Sequence, residues 1–173
     1  MRFFKLFGVS TLLVTTTFVA MGSAAPAYAQ SDIIRHNEAT FPIASAIEVP
    51  AGYSTIYLSG MGAPVINPQA PAKSLEAYGN MAAQTEGSLK RIEETLKGMG
   101  LTMGDIVQMH IFMVADAQTK KLDFAGMMDG YKKFFGTKAQ PNLPVRSAFA
   151  VAQLANPGWL IEIEVVAVRP ARH

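Results

Sequence analysis

Asn142–Val168, "NLPVRSAFAVAQLANPGWLIEIEVVAV", decides how this chain folds. Two runs rich in β-branched and aromatic residues, "VRSAFAVAQL" and "WLIEIEVVAV", flank the turn-forming "ANPG". They read as the last two strands, joined by that turn. In the second run Ile161, Ile163 and Val165 point to one side, and Glu162, Glu164 and Val166 to the other. The isoleucine side fits against helices, so the glutamate side is the uncovered face. Arg146 is the one cation in these two apolar runs. Charged residues are seldom fully buried unless paired. Arg146 therefore pairs with Glu162 or Glu164, or it belongs to a site on the bare side of the sheet. Glu164 reads as structural, paired with a basic neighbour.

Upstream, "TMGDIVQMHIFMVAD" holds a strand with Val107, Met109, Ile111 and Met113 on one side. Gln108, His110, Phe112 and Val114 face the other way; His110 there reads as an interface residue. "YGNMAAQTEGSLKRIEETLKGMG" is a helix over about 78–100, with Met81, Ala82, Leu89, Ile92, Leu96 and Met99 at helical spacing. Gly98 or Gly100 can end it in the left-handed conformation. Gly87 inside it costs about 1 kcal/mol against Ala, tolerable where another chain segment packs closely. A second helix is expected over Leu122–Phe135, where Phe124, Met127, Met128, Tyr131, Phe134 and Phe135 make a wide apolar stripe. "STIYLSG" is a strand ending at Gly60, followed by a proline-rich loop, Gly62–Ser74. "SDIIRHNE" is a possible edge strand. The order predicts an α+β fold: a two-layer mixed β-sheet with two helices on one face. The open face, part apolar and part charged, invites a second subunit.

The first 29 residues are set apart. "MRFFK" is a basic start, "LFGVSTLLVTTTFVAMG" is apolar, and Ala27 and Ala29 flank Tyr28 in an A-x-A cleavage pattern. The expectation is a secretory signal peptide over 1–29, cut after Ala29, and a single domain over 30–173, periplasmic or secreted, with no stable membrane anchor. Of fifteen Lys and Arg, two (Arg2 and Lys5) lie in the leader; the remaining thirteen balance thirteen Asp and Glu. A neutral mature chain gives no electrostatic reason for binding nucleic acid or an anionic membrane. With no cysteine, thiol nucleophiles and thiolate metal sites are excluded. His36, His110 and His173 show no ligand spacing, so no metal site and no cofactor are expected.

Beyond these patterns, "YGNMAAQTEGSLKRIEETLKGMGLTMGDIVQMHIFMVAD", "YKKFFG", "PNLPVRSAFAVAQL" and "IEIEVVAV" resemble the Rid family, the reactive intermediate (enamine/imine) deaminases also called the YjgF family. The resemblance spans about Ser54 to Arg169. Its most specific motifs are P-x-R-S at Pro144–Ser147 and I-E-I-E at Ile161–Glu164. It implies a chorismate-mutase-like homotrimer with clefts between subunits, hydrolysing 2-iminoacids and their enamine tautomers to 2-oxoacids and ammonia without a cofactor. It implies that Arg146 holds the substrate carboxylate, and that Glu162 positions or activates water. Ser59, Gly60, Tyr131 and Ala148 would help line the cleft. Without the resemblance, Glu162 also fits an inter-subunit salt bridge, and Tyr131 fits core packing.

Chemistry favours the same roles. A guanidinium grips a carboxylate through a planar fork of donors, and a carboxyl group near the leaving nitrogen can relay a proton. Three positions depart from the family pattern. An ungapped count puts Ala46 where a cleft tyrosine is usual; Ala148 stands for a frequent cysteine, and Met128 for an asparagine. The pocket is thus expected to be more apolar. The alternatives are a non-catalytic trimeric binder of small carboxylates and a chaperone-like interaction protein.

Overall fold

The computed structural model describes residues 32–170. The expected leader and its cleavage after Ala29 lie outside the described residues. The elements are β1 (Ile34–Asn37), β2 (Ala44–Glu48), β3 (Tyr53–Gly62), α1 (Leu75–Tyr78), α2 (Met81–Gly98), β4 (Ile106–Met113), α3 (Phe124–Tyr131), β5 (Val145–Ala150) and β6 (Ile161–Pro170). All six strands form one sheet in the order β1-β2-β5-β4-β6-β3. β5 runs parallel to both β4 and β2, and the remaining pairs are antiparallel. Met109, Ile111 and Met113 of β4 and Ile161, Ile163 and Val165 of β6 share one buried cluster with Leu89, Ile92 and Leu96 of α2 and Met127 and Tyr131 of α3. The expected two-layer α+β arrangement is the observed one.

The last two strands are not neighbours, as a simple turn between them would suggest: β4 lies between β5 and β6. A parallel β4–β5 pair needs a crossover, and α3 supplies it. β6 then returns along the other edge of β4. "ANPG" serves as an anchor, with Asn156 Nδ2 donating to the Tyr78 hydroxyl at 2.7 Å. A Cβ on Gly158 would strike the Tyr78 ring and the Ser74 carbonyl, so only glycine fits that contact.

Helix α2 starts at Asn80, whose side chain accepts from Ala83 N at 3.0 Å, and ends before Gly100 in the left-handed region at φ 72°. The cap trims the expected span by two or three residues at each end. Gly87 earns its place: a Cβ there would lie 2.8 Å from Pro64 Cδ. Gln84, fully buried, donates to the carbonyls of Gly79 and Gly158 and accepts from Leu160 N, which ties α2 to the entry of β6.

The second helix is shorter than expected. α3 begins at Asp123, which caps Gly126 N at 2.8 Å, and after Tyr131 the chain tightens into turns, with Phe134 N and Phe135 N both donating to Tyr131 O. The apolar stripe continues through those turns, because Phe135 is still buried.

β2 carries no strong strand signal in "ASAIE", being alanine-rich and largely exposed. Pairing creates it: Arg35↔Ile47 and His36↔Ala46 join it to β1, and Ala44↔Val145 joins it to β5. Arg35 braces the same corner by donating to the carbonyls of Gly104, Ile106 and Leu143.

Candidate active site

Strand register separates two groups of residues. Glu162 pairs with Phe112 and Gly62, and Glu164 with His110, on the face away from the helices. Arg146 pairs with Met109, a core residue, and so faces the helix layer. The expectation that Arg146 stands on the bare side of the sheet is therefore corrected. The cause is register: β4 packs Met109 inward and Arg146 sits beside it.

On the open face, Glu164 Oε1 lies 2.8 Å from His110 Nδ1, and Gln108 Nε2 lies 3.0 Å from His110 Nε2. An amide nitrogen only donates, so His110 Nε2 accepts and its Nδ1–H donates to Glu164. Phe112 and Phe149 stack beside it at 6.0 Å, and Tyr57 is 79% exposed. This apolar and polar mixture is the open face read from the alternation of β4 and β6.

Glu162 reaches over the β3–β6 ladder at its irregular point, between Leu58 and Met61. Its carboxylate lies against Gly60, where an added Cβ would collide with Oε1. Gly60 and Glu162 thus form one group, with Ser59 next in the chain, and the one extra residue of the bulge makes room for the carboxylate. The carbonyl of Gly62 accepts from Arg91 Nη1 at 2.7 Å, and the Trp159 indole covers Gly62.

Arg146 forms the second group. Its guanidinium carbon lies 4.4 Å from the ring centroid of Tyr131 and 5.2 Å from that of Phe41, and Nη1 lies 3.2 Å from Met128 Sδ. Among the described residues no carboxylate comes within ion-pair distance of it. Burial pushes its pKa down, opposed by the neighbouring Tyr131. A partly desolvated cation touching two aromatic rings and a thioether lacks the partner that such a group needs. Beside it the sheet opens, because β2 meets β5 only at Val145. The gap is a cavity of about 390 Å³ bordered by Glu38, Ser45, Gln108, His110, Arg146 and Ser147, with Glu38 lining it but not ion-paired to Arg146.

Tyr131 is fully buried, stacked on Phe135 at 4.8 Å, and its hydroxyl donates to Pro42 O at 2.9 Å. Burial holds its phenol well above the ordinary range. Core packing and support for Arg146 are thus the same contact. Ala148 lies two residues on, on the helix-facing side, packed against the core. Ala46 stands exposed in β2, opposite His36. A second aromatic residue over Arg146, after Tyr131, is Phe41, in the β1–β2 loop, and no pattern in the sequence linked that loop to position 146. Among the described residues no cluster of His, Cys, Asp or Glu could hold a metal ion, and no helix is long and apolar enough to cross a membrane.

Fold and site together define a two-layer α+β protein with an unpaired, half-buried arginine at a gap in its sheet. The family model described as Endoribonuclease L-PSP matches residues 44–169, and the chain belongs to this family, the YjgF/Rid family. A 2-iminobutanoate/2-iminopropanoate deaminase of Escherichia coli K12 is 37% identical over 97 residues, 56% of this chain and 70% of that protein. TdcF of the same organism is 38% identical over 88 residues, so the chain spans 63% of TdcF, under two thirds of its length. The crystal structure of E. coli TdcF with bound serine superimposes with TM-score 0.52 at 30% identity, covering 74% of this chain and 92% of that one. The E. coli YjgF gene product superimposes with TM-score 0.51 at 33% identity, covering 70% and 84%.

Proposed function

We propose that this protein is an exported deaminase of 2-iminoacids and their enamine tautomers, acting as a homotrimer. The observation that carries the reading is Arg146, half-buried at a cavity and, among the described residues, with no carboxylate within ion-pair distance. A substrate carboxylate supplies the missing charge through paired N–H donors. Glu162 lies on the opposite face of the same sheet, so one chain does not offer both groups to one ligand. A second copy, presenting its Ser59–Gly60–Glu162 face to the Arg146 edge of the first, completes the site. The exposed Tyr57 and Phe149 on the open face agree with such packing. The serine held by TdcF, a small amino acid with a carboxylate, agrees with a ligand of this kind.

In the proposed reaction Arg146 fixes the carboxylate, which places the adjacent C=N carbon. Glu162 takes a proton from a water as its oxygen adds to that carbon. The proton passes to nitrogen, the C–N bond breaks, and ammonia leaves as the new hydroxyl becomes the carbonyl and gives its proton to Glu162. One water is consumed, and no electrons are gained or lost. Orientation carries most of the rate, because a protonated imine is already electrophilic. Export rests on the leader read in residues 1–29.

The test is ammonia release from freshly generated 2-iminoacids. The purified protein is expected to exceed buffer, and Arg146→Ala to fall to the buffer rate. Equal rates for wild type, variant and buffer across a substrate panel would refute catalysis. The apolar contacts of Arg146 with Met128 and Phe41 favour one second reading, a binder of small carboxylates without turnover. It predicts Arg146-dependent binding with no ammonia.

A further inference from the structure

The cavity beside Arg146 is lined mainly by polar side chains, against the expectation of a more apolar pocket. Among its lining residues Arg146 is the one guanidinium, and Glu38, exposed in the β1–β2 loop, is the one carboxylate. The two are not within ion-pair distance of each other. Opposite charges that border one cavity without touching leave a gap that a ligand carrying both charges can span. Glu38 uses its backbone N–H on Ile43 O at 3.0 Å. Its carboxylate joins no ion pair among the described residues, not even with Lys132, which borders the neighbouring cavity with it.

The other polar atoms at the cavity are mostly acceptors. Gln108 spends an amide N–H on His110 Nε2, which leaves its Oε1. Ser45 donates its hydroxyl to His36 O at 2.8 Å, which leaves its lone pairs. Both ring nitrogens of His110 are engaged, by Gln108 and Glu164. Ser147 adds one hydroxyl. Beyond a carboxylate held by Arg146, a ligand therefore meets groups that receive N–H donors. A cation there faces the opposite charge on Glu38, and a second carboxylate faces a like charge.

We infer that Glu38 selects ligands by charge: the site favours 2-iminoacids whose side chain ends in an ammonium or guanidinium over neutral ones, and disfavours those with a second carboxylate. The inference rests on the reading of Arg146 as the carboxylate clamp. Glu38 takes no part in the reaction; it acts on the far end of the side chain while Arg146 fixes the near end.

Stable 2-oxoacids of similar length test this without turnover: 5-guanidino-2-oxopentanoate, 2-oxohexanoate and 2-oxohexanedioate. Calorimetry with the purified protein is expected to show affinity falling in that order. The first should exceed the last by about tenfold, since an ion pair in contact with water is worth up to about fivefold and a like-charge pair loses a similar factor. Glu38→Gln should bring the three constants together, Glu38→Lys should reverse their order, and high salt should shrink the wild-type ratio. The Glu38 side chain is exposed, so both variants are expected to fold, which circular dichroism checks. Equal affinities in the wild type overturn the inference, and so does an order unchanged in Glu38→Gln. Arg146→Ala separates the two levels. If it abolishes binding while wild type treats the three acids alike, the clamp survives and only the charge selectivity fails. If no acid binds wild type, the clamp fails and the selectivity with it.

Discussion

Arg146 and Glu162 lie on opposite faces of one β-sheet: Arg146 beside Met109 towards the helices, Glu162 beside Phe112 on the open side. Strand side chains alternate strictly, so no rotamer change within one chain brings both onto the same ligand.

Under the proposed function, that geometry requires each site to be shared between two chains. Arg146→Ala and Glu162→Gln variants, each inactive alone, are expected to regain activity when unfolded together and refolded as mixed trimers. In an equal mixture about a quarter of the sites draw both native residues from different chains in a cyclic assembly. Ammonia release near that fraction of wild type supports shared sites; none at all contradicts them.

The same cation is a cost to the fold. Arg146→Met replaces a half-desolvated charge with an apolar chain that can pack on Tyr131 and Phe41. The variant is expected to lose carboxylate binding and to melt no lower than wild type, with a gain on the order of 3 °C. A clear drop in melting temperature would mean that Arg146 serves structure first.

Gly60 is held small by Glu162. Gly60→Ala pushes a methyl into the carboxylate, which is expected to cost under about 1 kcal/mol in urea denaturation, because the far end of a flexible side chain can move away, and to reduce deamination by displacing Glu162. Adding Glu162→Ala should return most of the stability and none of the activity. If both single variants and the double lose stability additively, the contact is not the cause.

Glu86 joins two helical regions by accepting from Lys90 and Lys133, each at 2.6 Å. Those bonds, Lys133 first, lower its pKa from the ordinary 4.5 to about 2. A carboxylate with a depressed folded pKa stabilises above its unfolded pKa and loses that contribution as pH falls towards the folded value. Wild type should therefore exceed Glu86→Gln in stability at pH 6, by under about 1 kcal/mol because the group is near solvent. The difference should vanish between pH 4.5 and 2 and shrink in high salt. A gap that persists at pH 2 would rule out the ion pairs as its source.

Periodicity made much of the fold legible. The three- and four-residue steps of Met81, Leu89, Ile92 and Leu96 and the alternation of β4 and β6 depend on local geometry alone, as does the separation of isoleucine and glutamate faces. Less visible was β2, because "ASAIE" becomes a strand only by pairing with β1 and β5. The ends of α3 depended on the Asp123 cap and on turns after Tyr131, which the apolar stripe does not register.

The sequence by itself determined the helix and strand faces, the two-layer α+β arrangement and the motifs around Arg146 and Glu162, because each follows from residues near one another along the chain. Only tertiary structure decided that β4 divides β5 from β6, that Arg146 faces the helices, and that Phe41 covers it. Those facts depend on strand register and on contacts across more than a hundred residues, where no local pattern carries information.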